Sequence, residues 1–258
     1  MNTRVRAVGV AELRLFGRNR SAMFSAFAMP LLIAAAVASS GITDESGTTA
    51  TALLLTSLLG YVLLAAVYYN LVTTYVSRRE ELVLKRLRAG ELSDGAILTG
   101  IAAPMVVVAA AQMVVFTAAG AILLGVPVPV NAPLMLAGVA GGAVLFVLLA
   151  AASTPFTRTA ESAQVTTLPV LLGCLLGSML YPVLDDAPAV VSGMLRALPL
   201  SPVVDLMRLG WLGTTGDAPP AGFVEVLGDA LLPAGIMAAW IVAGLLVVRR
   251  SFRWEPRR

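Results

Sequence analysis

Long stretches without a charged residue confine this chain to a bilayer. No Asp, Glu, Lys or Arg occurs in 21–43, 46–77, 95–157, 162–184 or 230–248. About 20 predominantly apolar residues cross the hydrocarbon core as a helix. The stretch 95–157 is too long for one crossing, and the run Val126-Pro127-Val128-Pro129-Val130-Asn131-Ala132-Pro133 breaks it. The pattern therefore predicts an all-α integral membrane protein in one domain, 1–258. Its six spans are 21–43, 52–76, 96–124, 133–154, 162–184 and 230–248. Composition agrees: 13% of residues are charged, against roughly 25% in soluble domains.

The segments between spans carry the charge. Residues 1–20 hold Arg4, Arg6, Arg14, Arg18 and Arg20 among apolar residues, with Glu12 opposing. They read as an interfacial helix with its arginines toward anionic headgroups; a disordered basic start is the other reading. The basic start, apolar core and Ala36-Val37-Ala38 also fit a cleavable secretory leader. Asp44 and Glu45 mark an expected short outer loop. Tyr68, Tyr69 and Tyr75 are expected in an interfacial aromatic belt, with Asn70 bonding between helices. Gly138, Gly141 and Gly142 in the fourth span, and Gly173 and Gly177 in the fifth, predict close helix packing. The stretch 185–229 is net acidic but apolar in its middle, and Gly193, Pro199 and Pro202 interrupt it. It is expected to form two short helices dipping into the outer leaflet, with Asp205 and Arg208 paired at i,i+3. Of the 18 basic residues only Arg196 and Arg208 then fall outside. That bias puts both termini in the cytoplasm.

Several function classes are removed by absences. The chain has no histidine, which excludes histidine-dependent triads, zinc-protease motifs and histidine proton relays. Its one lysine, Lys85, follows Leu84, so the Gly-Lys-Ser/Thr of a phosphate-binding P-loop is missing. Cys174 is the sole cysteine, and a net charge of +3 gives no support to nucleic-acid binding. No catalytic, cofactor-binding or metal-binding residue is expected in this chain. The spans hold essentially no ionisable residues, which argues against ion-coupled transport.

The dense charge of 77–94, SRREELVLKRLRAGELSD, is the exception inside this chain. Val83, Leu84 and Leu87 fall at helical spacing on one face. Glu81 and Lys85 stand at i,i+4, and Gly90 offers a C-terminal stop. A helix of two to three turns along the cytoplasmic surface follows. A solvated loop whose arginines only set topology accounts for the charges, though not for the apolar face.

This string resembles the intracellular loop of the type-2 ABC exporter permeases, through Arg79, Glu80, Glu81, Val83, Leu84, Lys85, Arg86, Leu87 and Arg88. It departs at Gly90-Glu91-Leu92, where Thr-Pro-Leu is common, so the exit of the helix is left open. The stretch Leu198-Pro199-Leu200-Ser201-Pro202 with Val203 to Arg208 is similar to the external element of the same family. The resemblance implies a bacterial cytoplasmic-membrane exporter of drugs, natural products or lipids, with a permease dimer of like or unlike subunits. It also implies a separate ATPase subunit that binds ATP and Mg, docked on 77–94 through those nine residues. An accessory or immunity protein, or a stand-alone transport protein without an ATPase, is the alternative.

Overall fold

The structure, a computed structural model, describes residues 32, 35, 42–90, 92–123, 125–180, 188–216 and 219–255. The expected interfacial helix 1–20, the Ala36-Val37-Ala38 motif and nearly all of the expected first span lie outside them. Among the described residues the chain is all helix, without strands.

The first described element is one long rod. Helix α1 (Ile42–Val62) passes through a π-helical segment, Leu63–Tyr69, into α2 (Asn70–Glu80), with helical backbone at both joints. Asp44 and Glu45 therefore lie inside α1, and no loop forms there. The rod also carries the span past Val76 to Glu80, taking Arg78 and Arg79 into α2. Tyr68 and Tyr75 are fully buried and so form no belt toward lipid. Tyr68 Oη lies 3.2 Å from Ser153 Oγ, and Tyr75 Oη donates to Leu98 O at 2.9 Å. Asn70 Nδ2 donates to Ala66 O of its own helix, not across to a neighbour.

The remaining elements are α3 (Val83–Arg88), α4 (Asp94–Leu123), α5 (Ala132–Ser153) with a 3-10 turn at Thr154–Phe156, α6 (Ala163–Leu180), α7 (Ala189–Arg196), α8 (Ser201–Leu212), α9 (Val226–Asp229) and α10 (Leu231–Ser251). Among the described residues four stretches are long and apolar enough to cross a membrane: Thr51–Glu80, Asp94–Ile122, Ala132–Phe156 and Val226–Ser251. They match the expected second, third, fourth and sixth spans. The expected fifth corresponds to α6, whose apolar part is described over Ala163–Gly177. Burial separates centre from rim. In the first of these stretches 61% of the most apolar window is buried, against 6% in the last.

Helices α7 and α8 meet at 80°. The described residues of 185–229 hold three short helices, α7, α8 and α9, where two are expected, and α8 is buried among the spans instead of lying at the surface. Every residue of it is buried except Asp205, which is half-buried. It fits among the spans because glycines clear its path. A Cβ at Gly60 of α1 would meet Val204, at Gly138 Leu206 and at Gly142 Val203. Gly141 faces Met237 of α10, and Gly177 faces Leu198 ahead of α8. Among the described residues nothing lies within 4 Å of a Cβ placed at Gly173.

The loop before α5 closes the far end of α8. Val130 N donates to Trp211 O at 3.0 Å and Asn131 N to Gly210 O at 2.7 Å. These satisfy carbonyls that a helix end leaves open. Gly213, at φ +72°, completes the turn by donating to Leu209 O, a conformation natural to glycine. Asn131 Oδ1 also caps α5 by accepting from Leu134 N, while its Nδ2 donates to Phe223 O. Asn131→Ala should cost about 1–2 kcal/mol, as lost N-caps do. Thermal unfolding in detergent checks this; an unchanged midpoint would show that water replaces both bonds.

Candidate coupling site

The charged stretch does not form one helix. α2 runs to Glu80, and the chain then turns sharply through Glu81 and Leu82. Leu82 is in the left-handed region at φ 59°, unusual for a residue with a side chain. Glu81 N donates to Ser77 O and Leu82 N to Arg79 O, which closes α2. Helix α3 is only six residues long, shorter than the two to three turns expected. The elbow also separates Glu81 from Lys85. Glu81 instead bonds Arg78 and Ser77, and Lys85 bonds Glu255. Gly90 does follow the helix, donating to Leu87 O.

The apolar face anticipated from the spacing exists, and the bundle itself covers it. Leu84 is fully buried in the main core, with Leu87 packed against it. Val83 is half-buried. Lys85, Arg86 and Arg88 are exposed, as are Glu80, Glu81 and Leu82. Leu84 therefore anchors α3 and offers no apolar surface outward. Leu84→Ala should cost about 2–5 kcal/mol, the range for a buried leucine in a well-packed core. It should lower the unfolding midpoint and change nothing specific to a partner.

Arg79 has the opposite character from its charged neighbours. It is 1% exposed. Its Nη1 donates to Thr154 O at 3.0 Å, and its Nη2 to Thr157 O at 2.6 Å and Arg158 O at 3.2 Å. Those carbonyls lie where α5 and its 3-10 turn end, the place where a helix favours a cation. A planar guanidinium can reach several carbonyls at once, which an ammonium cannot. Next to it, Glu80 Oε2 accepts from Ala160 N at 3.1 Å. The turn that receives both side chains is self-braced: Thr159 and Ser162 each accept the other's backbone N–H through their hydroxyls. The end of α2 and the α5–α6 turn are thus fastened by two consecutive residues.

At the opposite end, Arg208 is 3% exposed, and its Nη2 donates to Ser57 Oγ of α1 at 2.9 Å. Asp205 lines a cavity of about 450 Å³ with Arg196, Thr214, Asp229 and Leu232. Spacing had suggested only that Asp205 and Arg208 face each other; the link from Arg208 to Ser57 had no sequence signal. Among the described residues no cluster of metal-ligating side chains occurs.

One comparison with known proteins is informative. The profile described as "ABC-2 family transporter protein" matches residues 19–248. Nothing among the curated proteins or the solved structures matches. The match takes in every described span, the α2–α3 elbow, the Arg79 junction and the buried helix α8. The chain is a multi-pass membrane protein, the permease component of an ABC-type transporter, and it belongs to the ABC-2 family of transporter proteins.

Proposed function

We propose that this permease is an exporter driven by ATP, which a separate ATPase subunit binds with Mg and hydrolyses. The observation that carries this reading is the construction of the 77–94 region. One face of α3 is locked into the bundle by Leu84. The other shows Lys85, Arg86 and Arg88 to solvent. A partner that pushes on α3 therefore pushes on the spans. Arg79 and Glu80 extend that rigidity to the α5–α6 turn. Docking of an exposed helix into a partner's groove is a general recognition mode, and exposed cations set its register and salt dependence.

In this reading the basic end faces the bacterial cytoplasm and both termini are cytoplasmic. A second permease subunit, identical or different, completes the pathway. The exposed leucines and valines of α10, among them Leu231, Leu232, Val242 and Leu246, suit contact with lipid or with that subunit. The cargo is a hydrophobic or amphiphilic drug, natural product or lipid.

Purification of the tagged chain from its host in mild detergent tests the proposal. A stoichiometric P-loop ATPase is expected, and Arg86→Glu should reduce its recovery at least tenfold. Arg86 is chosen because it is exposed, so its loss leaves the fold intact. Substrate flux without ATP, from the chain alone, would overturn the proposal in favour of a stand-alone transport protein.

A further inference from the structure

We infer that the segment after α10 forms half of the surface on which the partner docks, so that the cytoplasmic docking site is a two-piece cleft between α3 and the chain's C-terminal tail. This rests on the reading above. Helix α10 stops at Ser251, and Phe252 turns extended. Phe252 packs edge-on to the buried Tyr75, with ring centroids 6.2 Å apart, and Trp254 packs edge-on to Phe252 at 4.8 Å. Both aromatics lie against the main core. The tail is thereby seated beside α3. There Lys85 Nζ meets Glu255 Oε1 at 3.0 Å, and the Arg88 guanidinium lies 5.0 Å from the centre of the Trp254 ring.

Lys85, Arg88, Arg253, Trp254 and Glu255 bound an open cleft of about 360 Å³. Lys85 is paired with Glu255 and Arg88 Nε with Asp94 Oδ1 at 3.3 Å; Arg253 adds a third cation to the lining, and Trp254 supplies a flat apolar wall. Such a lining fits a carboxylate-bearing side chain of an acidic partner surface. Position favours a protein over a lipid. Arg249 and Arg250 close the last span, where basic residues mark the headgroup level. The cleft lies beyond them along the chain, on the side of water. Because α3 turns its apolar face inward, the tail is what adds an apolar wall beside its cations.

The test uses the full-length chain with its purified ATPase subunit, and affinity is read by titration at low and raised salt. Arg253→Glu should weaken binding at least tenfold at low salt, and so should Lys85→Glu. Adding Glu255→Lys to Lys85→Glu should restore affinity to within threefold, because a cation returns to the cleft from the tail side. Arg253→Glu binding within twofold of the unmodified chain, or no rescue by Glu255→Lys, overturns the inference. The same titrations are run in nanodiscs of phosphatidylcholine and of phosphatidylglycerol. A loss seen only with phosphatidylglycerol assigns the cleft to lipid headgroups and also overturns it.

Tail placement is checked without the partner. Lys85→Cys with Glu255→Cys, on a Cys174→Ala background, should be joined by a short bifunctional maleimide reagent that replaces the reach of the lost side chains, and failure to crosslink when both thiols are labelled by a monofunctional maleimide overturns the two-piece surface. An unmodified chain that binds no ATPase subunit would remove the exporter reading and this inference together. An unmodified chain that binds, with variants that do not respond, removes only the role of the tail.

Discussion

Arg79→Met is expected to stop ATP-driven transport and to destabilise the protein by on the order of 3 kcal/mol, since charge-assisted hydrogen bonds to carbonyls are lost together. The three carbonyls at Thr154, Thr157 and Arg158 would lose their donor, and the α5–α6 turn would lose its main tie to α2. Arg79→Lys should recover only part of the stability, because one ammonium cannot span acceptors arranged for a fork. Two readouts separate fastening from folding. Thermal unfolding of the purified subunit reports the first cost. ATPase stimulation against transport, measured in the same vesicles, reports coupling. In the lysine variant ATP turnover should persist while transport per ATP falls at least fivefold. Equal losses in both would reduce Arg79 to a structural residue.

The second large effect is expected at Gly210. A Cβ there would run into the backbone nitrogen and Cα of Met135. Backbone cannot step aside as a flexible side chain can. Gly210→Ala should therefore cost about 1–3 kcal/mol, in the range of overpacked cores, and Gly210→Leu should yield no folded protein. Gly173→Ala makes the contrast. Among the described residues its Cβ meets nothing within 4 Å, and removing a glycine from a helix interior is worth roughly 0.5–1 kcal/mol, so that variant should be slightly more stable. Unfolding midpoints and yields of monodisperse protein decide both. A Gly210→Ala midpoint equal to that of the unmodified chain would mean that α8 is not wedged as tightly as its contacts indicate.

Trp211 shows why local sequence points α8 to the surface while the fold buries it. Its segment is short and broken by Pro199 and Pro202, with Asp205 and Arg208 inside it. Each of those features favours an interfacial loop when judged locally. In the folded chain Trp211 Nε1 donates to Pro127 O at 2.6 Å, and Arg208 reaches Ser57. Both polar groups find partners on distant elements, so burial costs little. Sequence distance hides such pairings. The same holds for Tyr68 and Tyr75, whose hydroxyls are met by Ser153 and Leu98.

Local chemistry sufficed for the long-range plan of this protein. Uncharged stretches of span length and the proline-rich break at 126–133 settle membrane residence and the α4–α5 hairpin. Those properties depend on each segment's own transfer between water and lipid. The charged stretch 77–94 was likewise legible as the one region made for water. Which of its residues point outward was decided by packing. Periodicity shows that Val83, Leu84 and Leu87 share a face but cannot say what covers it, and the bundle's own core covers Leu84. A row of arginines likewise looks uniform in sequence. Only the arrival of the α5–α6 turn makes Arg79 a buried fastener while Arg86 and Arg88 stay in solvent. Burial of a charge depends on acceptors some 75 residues away along the chain, and no local pattern records where those acceptors will be.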